Sequence, residues 1–295
     1  MALTVTVDVF SGRRNPALVL EGRDEREALA RLRPARRRLA AEPRPDSFLG
    51  YRGLRLQQSG AARGTLPRSF RLWHGSLLGE GLRAPASDPG FEAWFTSEDG
   101  PLGRLNLGST FHRRLEEERL RKHPKGGDGD RDDRNEQRRD RGQRERCECA
   151  PLYEPAWWND AGQKQYGNNC YNYSTNYRSD TFAQPGLAAG AMYASLSCPD
   201  VLAGAIADDL IDQPKANNRC PKEGHLVALV VAPGWDFHWY RKGRTGYWSH
   251  KPGGTQATNR DNSAHLIPDP RTADRGPYVD FCTFMVVMHG HIKIR

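Results

Sequence analysis

The stretch from His112 to Arg146, HRRLEEERLRKHPKGGDGDRDDRNEQRRDRGQRER, limits what this chain can fold into more than any other feature. It holds 23 charged residues, two leucines and no aromatic residue. Such a segment cannot bury enough apolar area to offset a backbone ordering cost of about 1–2 kcal/mol per residue. It is expected to be a charged, disordered linker between two folding units. Its first part, Arg113 to Lys122, can continue a helix, because Glu116 to Glu118 face Arg119 to Lys122 three and four residues on. Pro124 and the glycines at 126, 127 and 129 then end any helix. Basic and acidic residues are interleaved nearly one for one, which favours a plain tether over a nucleic-acid arm.

The two sides of this segment differ in kind. Residues 1–112 carry 17 basic against 12 acidic side chains, while residues 147–295 carry 14 of each. The net charge of +8 therefore lies entirely before residue 147, and nucleic acid is not an expected partner of the rest. All six cysteines and nine of the ten tyrosines follow the linker. The division is thus 1–111, a small basic α+β domain; 112–146, the linker; and 147–295, a cysteine- and aromatic-rich α+β domain with an antiparallel sheet. The longest strongly apolar run, Leu226 to Pro233, is far too short to span a membrane. The first ten residues alternate as a strand does and lack a basic head and an apolar block, so no cleavable signal peptide is expected. On that ground the chain is placed in the cytoplasm, with export by another route as the alternative; six cysteines in one half argue for an oxidising compartment.

In the front domain Leu3 to Phe10 reads as a strand, and Ser11-Gly12-Arg13-Arg14-Asn15-Pro16 as the turn that leaves it. Asp24 to Ala41 reads as a basic helix kinked or split at Pro34. Tyr51 to Gln57 and Ser69 to Ser76 read as strands, and Phe91 to Ser97 as a short helix. No catalytic constellation is visible there. In the back domain, helices are expected over 187–196 and 200–210. Strands follow over 225–232, 237–241, 246–250 and 280–288, with a hairpin loop at 242–246.

One constellation in the back domain has the makings of chemistry. A cysteine nucleophile needs a thiolate, which a helix N-terminus and an imidazole promote by lowering a thiol pKa of about 8.5. It also needs a base and a third group to orient that base. Cys170 follows a Gly-Asn-Asn turn and can open a helix. Its surroundings leave a second reading, in which Tyr171 and Tyr173 alternate along a strand and Cys170 is a buried hydrophobe or half of a disulfide. His238 and His250 lie on adjacent strands joined by a short loop, which can set two imidazoles side by side. This makes Cys170 the candidate nucleophile, His238 the base and His250 its orienter. Asn168, Asn169 and Gln165 are candidates for steadying an oxyanion beside the Cys170 N–H. Trp239, Tyr240 and Trp248 are candidates for the cleft wall.

The same phrases resemble papain-like cysteine hydrolases of the compact NlpC-type and CHAP-type arrangement. There, a helix opens with the nucleophilic cysteine and three strands follow. Gly224-His225-Leu226-Val227 is similar to the first strand, Asp236-Phe237-His238-Trp239-Tyr240 to the second, and Tyr247-Trp248-Ser249-His250 to the third. Asn169-Cys170-Tyr171-Asn172-Tyr173 is similar to the Gly-Gln-Cys-Thr-Trp-Tyr phrase of the CHAP type. The resemblance covers only Trp157 to Pro252. It implies a thiol hydrolase, a peptidase, amidase or acyltransferase acting on a peptide, peptidoglycan-like or acyl substrate. Larger relatives of that kind present their base in a His-x-Val phrase, so His225 is an alternative base.

Three weaker signals complete the reading. Cys147-Glu148-Cys149 and His289-Gly290-His291 have ligand types at i and i+2, but nothing in the sequence brings them together, so no metal or cofactor is expected. Cys198 and Cys220 flank a helix and could be bridged. The rival to the hydrolase is a non-catalytic glycan- or peptide-binding module with a disulfide-stabilised C-terminal domain.

Overall fold

The computed structural model describes residues 2–35, 47–60, 65–80, 82–121 and 145–295. Most of the charged segment, 122–144, and the second half of the expected basic helix, 36–41, lie outside the described residues. The chain forms two compact units. The first comprises Met1–Val9, Asn15–Pro45 and Gly50–Lys122, and the second comprises Phe10–Arg14, Asp46–Leu49 and His123–Arg295. Both combine helices with an antiparallel sheet, as the α+β expectation requires.

The first unit is a six-stranded sheet with strands β1 (Ala2–Val7), β2 (Ala17–Glu21), β3 (Leu54–Gln58), β4 (Ser69–Trp73), β5 (Ser76–Gly79) and β6 (Leu82–Pro85), in the order β2-β1-β3-β4-β5-β6. Strict alternation in β1 buries Leu3, Val5 and Val7 completely, and β1 pairs Val5 with Leu18 on one side and Leu56 on the other. The helices are α1 (Gly22–Arg31), α2 (Phe91–Thr96) and α3 (Ser109–Leu120). Residues 112–120, at the front of the expected linker, extend a helix of this unit, in line with the helix reading of Arg113 to Lys122, and Leu115 is buried there.

The Ser11–Pro16 turn leads into β2, which the sequence pattern missed along with β5 and β6. The basic helix stops at Arg31, ahead of Pro34, whose backbone bridges to Ala86. Arg31 bonds to Asp88 at 2.6 Å and lies over the Trp94 ring at 3.8 Å, so this arginine serves the fold and is not presented to an acidic partner. Asp8 is nearly buried against Arg52 at 2.7 Å and Arg71 at 3.1 Å. Burial alone would raise its pKa, but the arginines outweigh it and hold the carboxylate ionised.

The second unit is a five-stranded sheet in the order β10-β9-β8-β11-β7. Its strands are β7 (Ile211–Asp212), β8 (His225–Ala232), β9 (Asp236–Lys242), β10 (Trp248–His250) and β11 (Asp280–Val287). All eight residues of the central strand β8 are buried, which is why it reads as an unbroken apolar run: both faces are covered. The helices are α4 (Gln163–Gly167), α5 (Cys170–Ser174) and α6 (Cys198–Ala207). Residues 187–196, expected to be helical, form turns. Gly186 and Gly190 take φ of +80° and +72°, and the Gly186 N–H is drawn to the Asp208 carboxylate at 2.6 Å. No described helix is long and apolar enough to cross a membrane.

Two disulfides staple this unit. Cys198 pairs with Cys282, tying the start of α6 to β11, and Cys147 pairs with Cys220. The expected Cys198–Cys220 bridge is therefore not formed, since the sheet carries Cys282 to the helix end. Replacing both Cys198 and Cys282 by serine is expected to cost about 2–4 kcal/mol, read as a fall in the thermal midpoint of the oxidised protein.

Candidate functional site

Alternation along β9 decides which side chains meet. His238 and Tyr240 share one face, and Phe237 and Trp239 the other. Because His250 of β10 pairs with Tyr240, its ring comes beside His238. His238 Nε2 and His250 Nδ1 are 2.8 Å apart, and His250 Nε2 is 2.8 Å from the Arg260 carbonyl. A carbonyl only accepts, so His250 carries its proton on Nε2 and receives the His238 Nε2–H on Nδ1. The two imidazoles thus meet as their strands implied.

The partner on Nδ1 of His238 was not foreseen. It is the hydroxyl of Ser11, at 2.5 Å. The segment Phe10–Arg14 enters this unit and is fixed by Asp236, whose carboxylate accepts from the backbone N–H of Ser11 at 2.6 Å, Gly12 at 3.2 Å and Arg13 at 3.1 Å. It also accepts the Tyr278 hydroxyl at 2.5 Å. Burial pushes the Asp236 pKa up, and these hydrogen bonds oppose it. The Gly12 carbonyl receives Asn169 Nδ2 at 2.7 Å and Gln184 Nε2 at 2.9 Å. A Cβ on Gly12 would stand 2.4 Å from the Phe237 ring, so only glycine fits. No local pattern could have revealed this, because a Ser-Gly pair after a strand looks like any turn and its partners lie more than 220 residues away.

Cys170 opens α5, as the helix reading proposed, and it is free. The Asn169 side chain caps the helix by accepting from the N–H groups of Tyr171 and Asn172, and the strand reading of Tyr171 and Tyr173 falls away. The thiol is fully buried in the apolar cluster of Tyr171, Phe237 and Trp239, against the Ser11 side chain. Burial, with Asp236 nearby, drives its pKa far above that of a free thiol. It is therefore a thiol and not a thiolate at neutral pH.

The other candidates have structural duties. Asn168 Nδ2 bonds to the Lys164 carbonyl at 2.7 Å and to Asp180 at 2.6 Å. Asn169 Nδ2 is taken by Gly12 and the Ala183 carbonyl, and Gln165 braces Ala161 and Gly254. Their donors are spent and make no oxyanion pocket. Trp239, Tyr240 and Trp248 are completely buried and line no cleft. Trp239 packs on Tyr171, Tyr240 stacks on His250, and Trp248 donates to Asn218 at 2.8 Å. His225 sits at the other end of α5, donating from Nε2 to the Ser174 carbonyl at 2.7 Å and stacking on His289. Burial lowers its pKa to about 3, and that of His250 to about 4. Lys251, which the sequence did not single out, is buried with its ammonium on the carbonyls of Gln165, Asn168 and Gly253.

Cys147 of the Cys-Glu-Cys phrase is consumed by its disulfide, and no group of three or more potential metal ligands occurs among the described residues. On the surface, Trp157 is 57% exposed, with the Arg178 guanidinium 4.3 Å from its ring centre and donating to the Trp157 carbonyl at 3.1 Å. The Lys164 ammonium lies 5.9 Å from the same ring.

No protein-family model and no solved structure matches this chain. It is similar to insoluble matrix shell protein 1 of Ruditapes philippinarum, with 46% identity over 142 residues, or 47% of this chain and 91% of that protein. A match of that length cannot fit within residues 1–122 and so runs into the second unit. It overturns the expectation of a hydrolase or thiol protease, since that relative is an insoluble matrix shell protein. The physical reason agrees: thiol, hydroxyl and both imidazoles are sealed from solvent and bonded to the protein itself.

Proposed function

We propose, for a chain that belongs to the family of insoluble matrix shell protein 1, that it is a non-catalytic structural component of an insoluble matrix. Its disulfide-stapled second unit grips a matrix polymer, a glycan or a peptide. The observation that carries this reading is the exposed indole of Trp157 clamped by Arg178. A guanidinium against the ring, hydrogen-bonded to the same residue's backbone, fixes the orientation of a large apolar plate that still faces water. Such a plate offers contact area at little cost in side-chain freedom, and Lys164 and Arg178 add positive charge at its rim. The sealed His238–His250 pair supports the reading from the other direction, since it is arranged to hold Ser11 in place and not to receive a substrate.

Co-sedimentation with insoluble chitin, cellulose and gelatin tests it. The protein is expected to sediment with at least one of these polymers. Trp157→Ala is expected to weaken binding by about tenfold, which corresponds to about 1.4 kcal/mol, with Arg178→Ala smaller in effect. Absence of binding to all three, or a Trp157→Ala protein that binds like the parent, would sink the reading.

A further inference from the structure

Cys149 is exposed and free, and it stands beside a disulfide. Two residues before it, Cys147 is bonded to Cys220. The Cys149 thiol lies 3.6 Å from the carbonyl of Lys222, two residues beyond Cys220. The Cys220 backbone N–H bonds to the Glu145 carboxylate at 3.0 Å, so the two segments run against each other with three cysteines in one place. Within the disulfide, Cys147 is 4% exposed, whereas Cys220 is only half-buried. His289 borders the same residue, with Nε2 3.4 Å from the Cys149 carbonyl and its ring stacked on His225. Since a carbonyl only accepts, His289 gives it the Nε2 proton.

We infer that Cys149 is the attacking thiol of a disulfide exchange that joins copies of this chain covalently. The Cys149 thiolate of one copy forms a new S–S bond with Cys220 of a second copy. The Cys147–Cys220 bond of that second copy breaks, and its electron pair leaves with Cys147, which takes up a proton. One disulfide is lost and one is made, so no oxidant or reductant is consumed. The second copy keeps its own Cys149, so it can attack a third. Each copy carries both the attacking group and the bond attacked, the head-to-tail relation that grows open chains instead of closed dimers. This goes beyond polymer binding and does not rest on it, because Trp157 takes no part.

The test uses the full chain under anaerobic conditions at pH 8.5, as an equal mixture of unlabelled and 15N-labelled protein. Samples are quenched with iodoacetamide and separated without reductant. A ladder that collapses on reduction is expected, with Cys149–Cys220 peptides of mixed isotopic composition and the thiol count unchanged at two per chain. Cys149→Ser is expected to form no ladder, because only the buried Cys170 thiol remains. The Cys147→Ser/Cys220→Ser protein, which keeps Cys149 and the Cys198–Cys282 bond but lacks the disulfide proposed as the target, is expected to stay monomeric. The inference is overturned by a ladder in either variant, by Cys149–Cys149 linkages, by Cys149–Cys220 bonds confined to single chains, or by a parent protein that stays monomeric.

Discussion

Replacing Asp236 by alanine is expected to unfold the second unit at room temperature. Its carboxylate is buried and answers three backbone N–H groups and the Tyr278 hydroxyl. Alanine would take this acceptor from three backbone N–H groups and the Tyr278 hydroxyl, at about 1–3 kcal/mol each. The sum is comparable with the whole stability of an ordinary domain, about 5–15 kcal/mol. Asp236→Asn keeps one acceptor oxygen but turns an amide N–H₂ toward donors, so an intermediate loss is expected. Urea titration followed by tryptophan fluorescence measures both, since five of the seven tryptophans lie after the linker. Tyr278→Phe alone is expected to cost about 1–2 kcal/mol, and combined with Asp236→Ala to add little, because the two share one hydrogen bond. A loss below about 1 kcal/mol in Asp236→Ala would mean that the Phe10–Arg14 segment is not anchored as described.

Acid is expected to have the next largest effect. His225 and His250 are completely buried, with pKa values lowered to about 3 and about 4 by burial. In the unfolded chain they titrate near 6.5, so between pH 6.5 and 4 the unfolded state binds more protons. The stability they contribute is complete above pH 6.5 and drains away as the pH falls toward the folded values. At about 1.4 kcal/mol per unit for each group, the two together remove about 5 kcal/mol by pH 4.5. Asp208 and Asp236, raised by burial, act in the opposite sense. The comparison that isolates the histidines is therefore between variants. Urea midpoints measured from pH 7 to 4.5 are expected to fall steeply for the parent, and about half as steeply for His250→Gln or His225→Gln. Equal slopes would refute the account.

The sheet of the second unit was open to sequence reading because its central strand is covered on both faces, which writes itself as an unbroken run from His225 to Ala232. The hairpin from Asp236 to His250 was open for a related reason: a short polar loop between two aromatic strands has few other solutions. A helix start at Cys170 was legible from the Gly-Asn-Asn turn before it, although a strand reading of Tyr171 and Tyr173 stood beside it until the structure showed the Asn169 cap. The Ala-rich stretch 187–196 misled, since alanine propensity is a weak prior and the backbone there is committed to Asp208 and two glycines in left-handed conformations. Trp239 and Trp248 misled too, because an aromatic ring in a strand fits a cleft wall and a core equally well until its exposure is known.

The sequence by itself determined the α+β class, the central strands of the second sheet and the meeting of His238 with His250. These follow from composition, period and loop length, which act over a few residues. Tertiary structure alone decided that Ser11 occupies His238, that Asp236 binds the segment carrying it, and that Cys198 pairs with Cys282 instead of Cys220. Each of these contacts joins positions far apart in the chain, and its energy comes from burying polar groups with no water to replace a missing partner. That same burial turned a constellation with the residues of a thiol enzyme into part of a structural core.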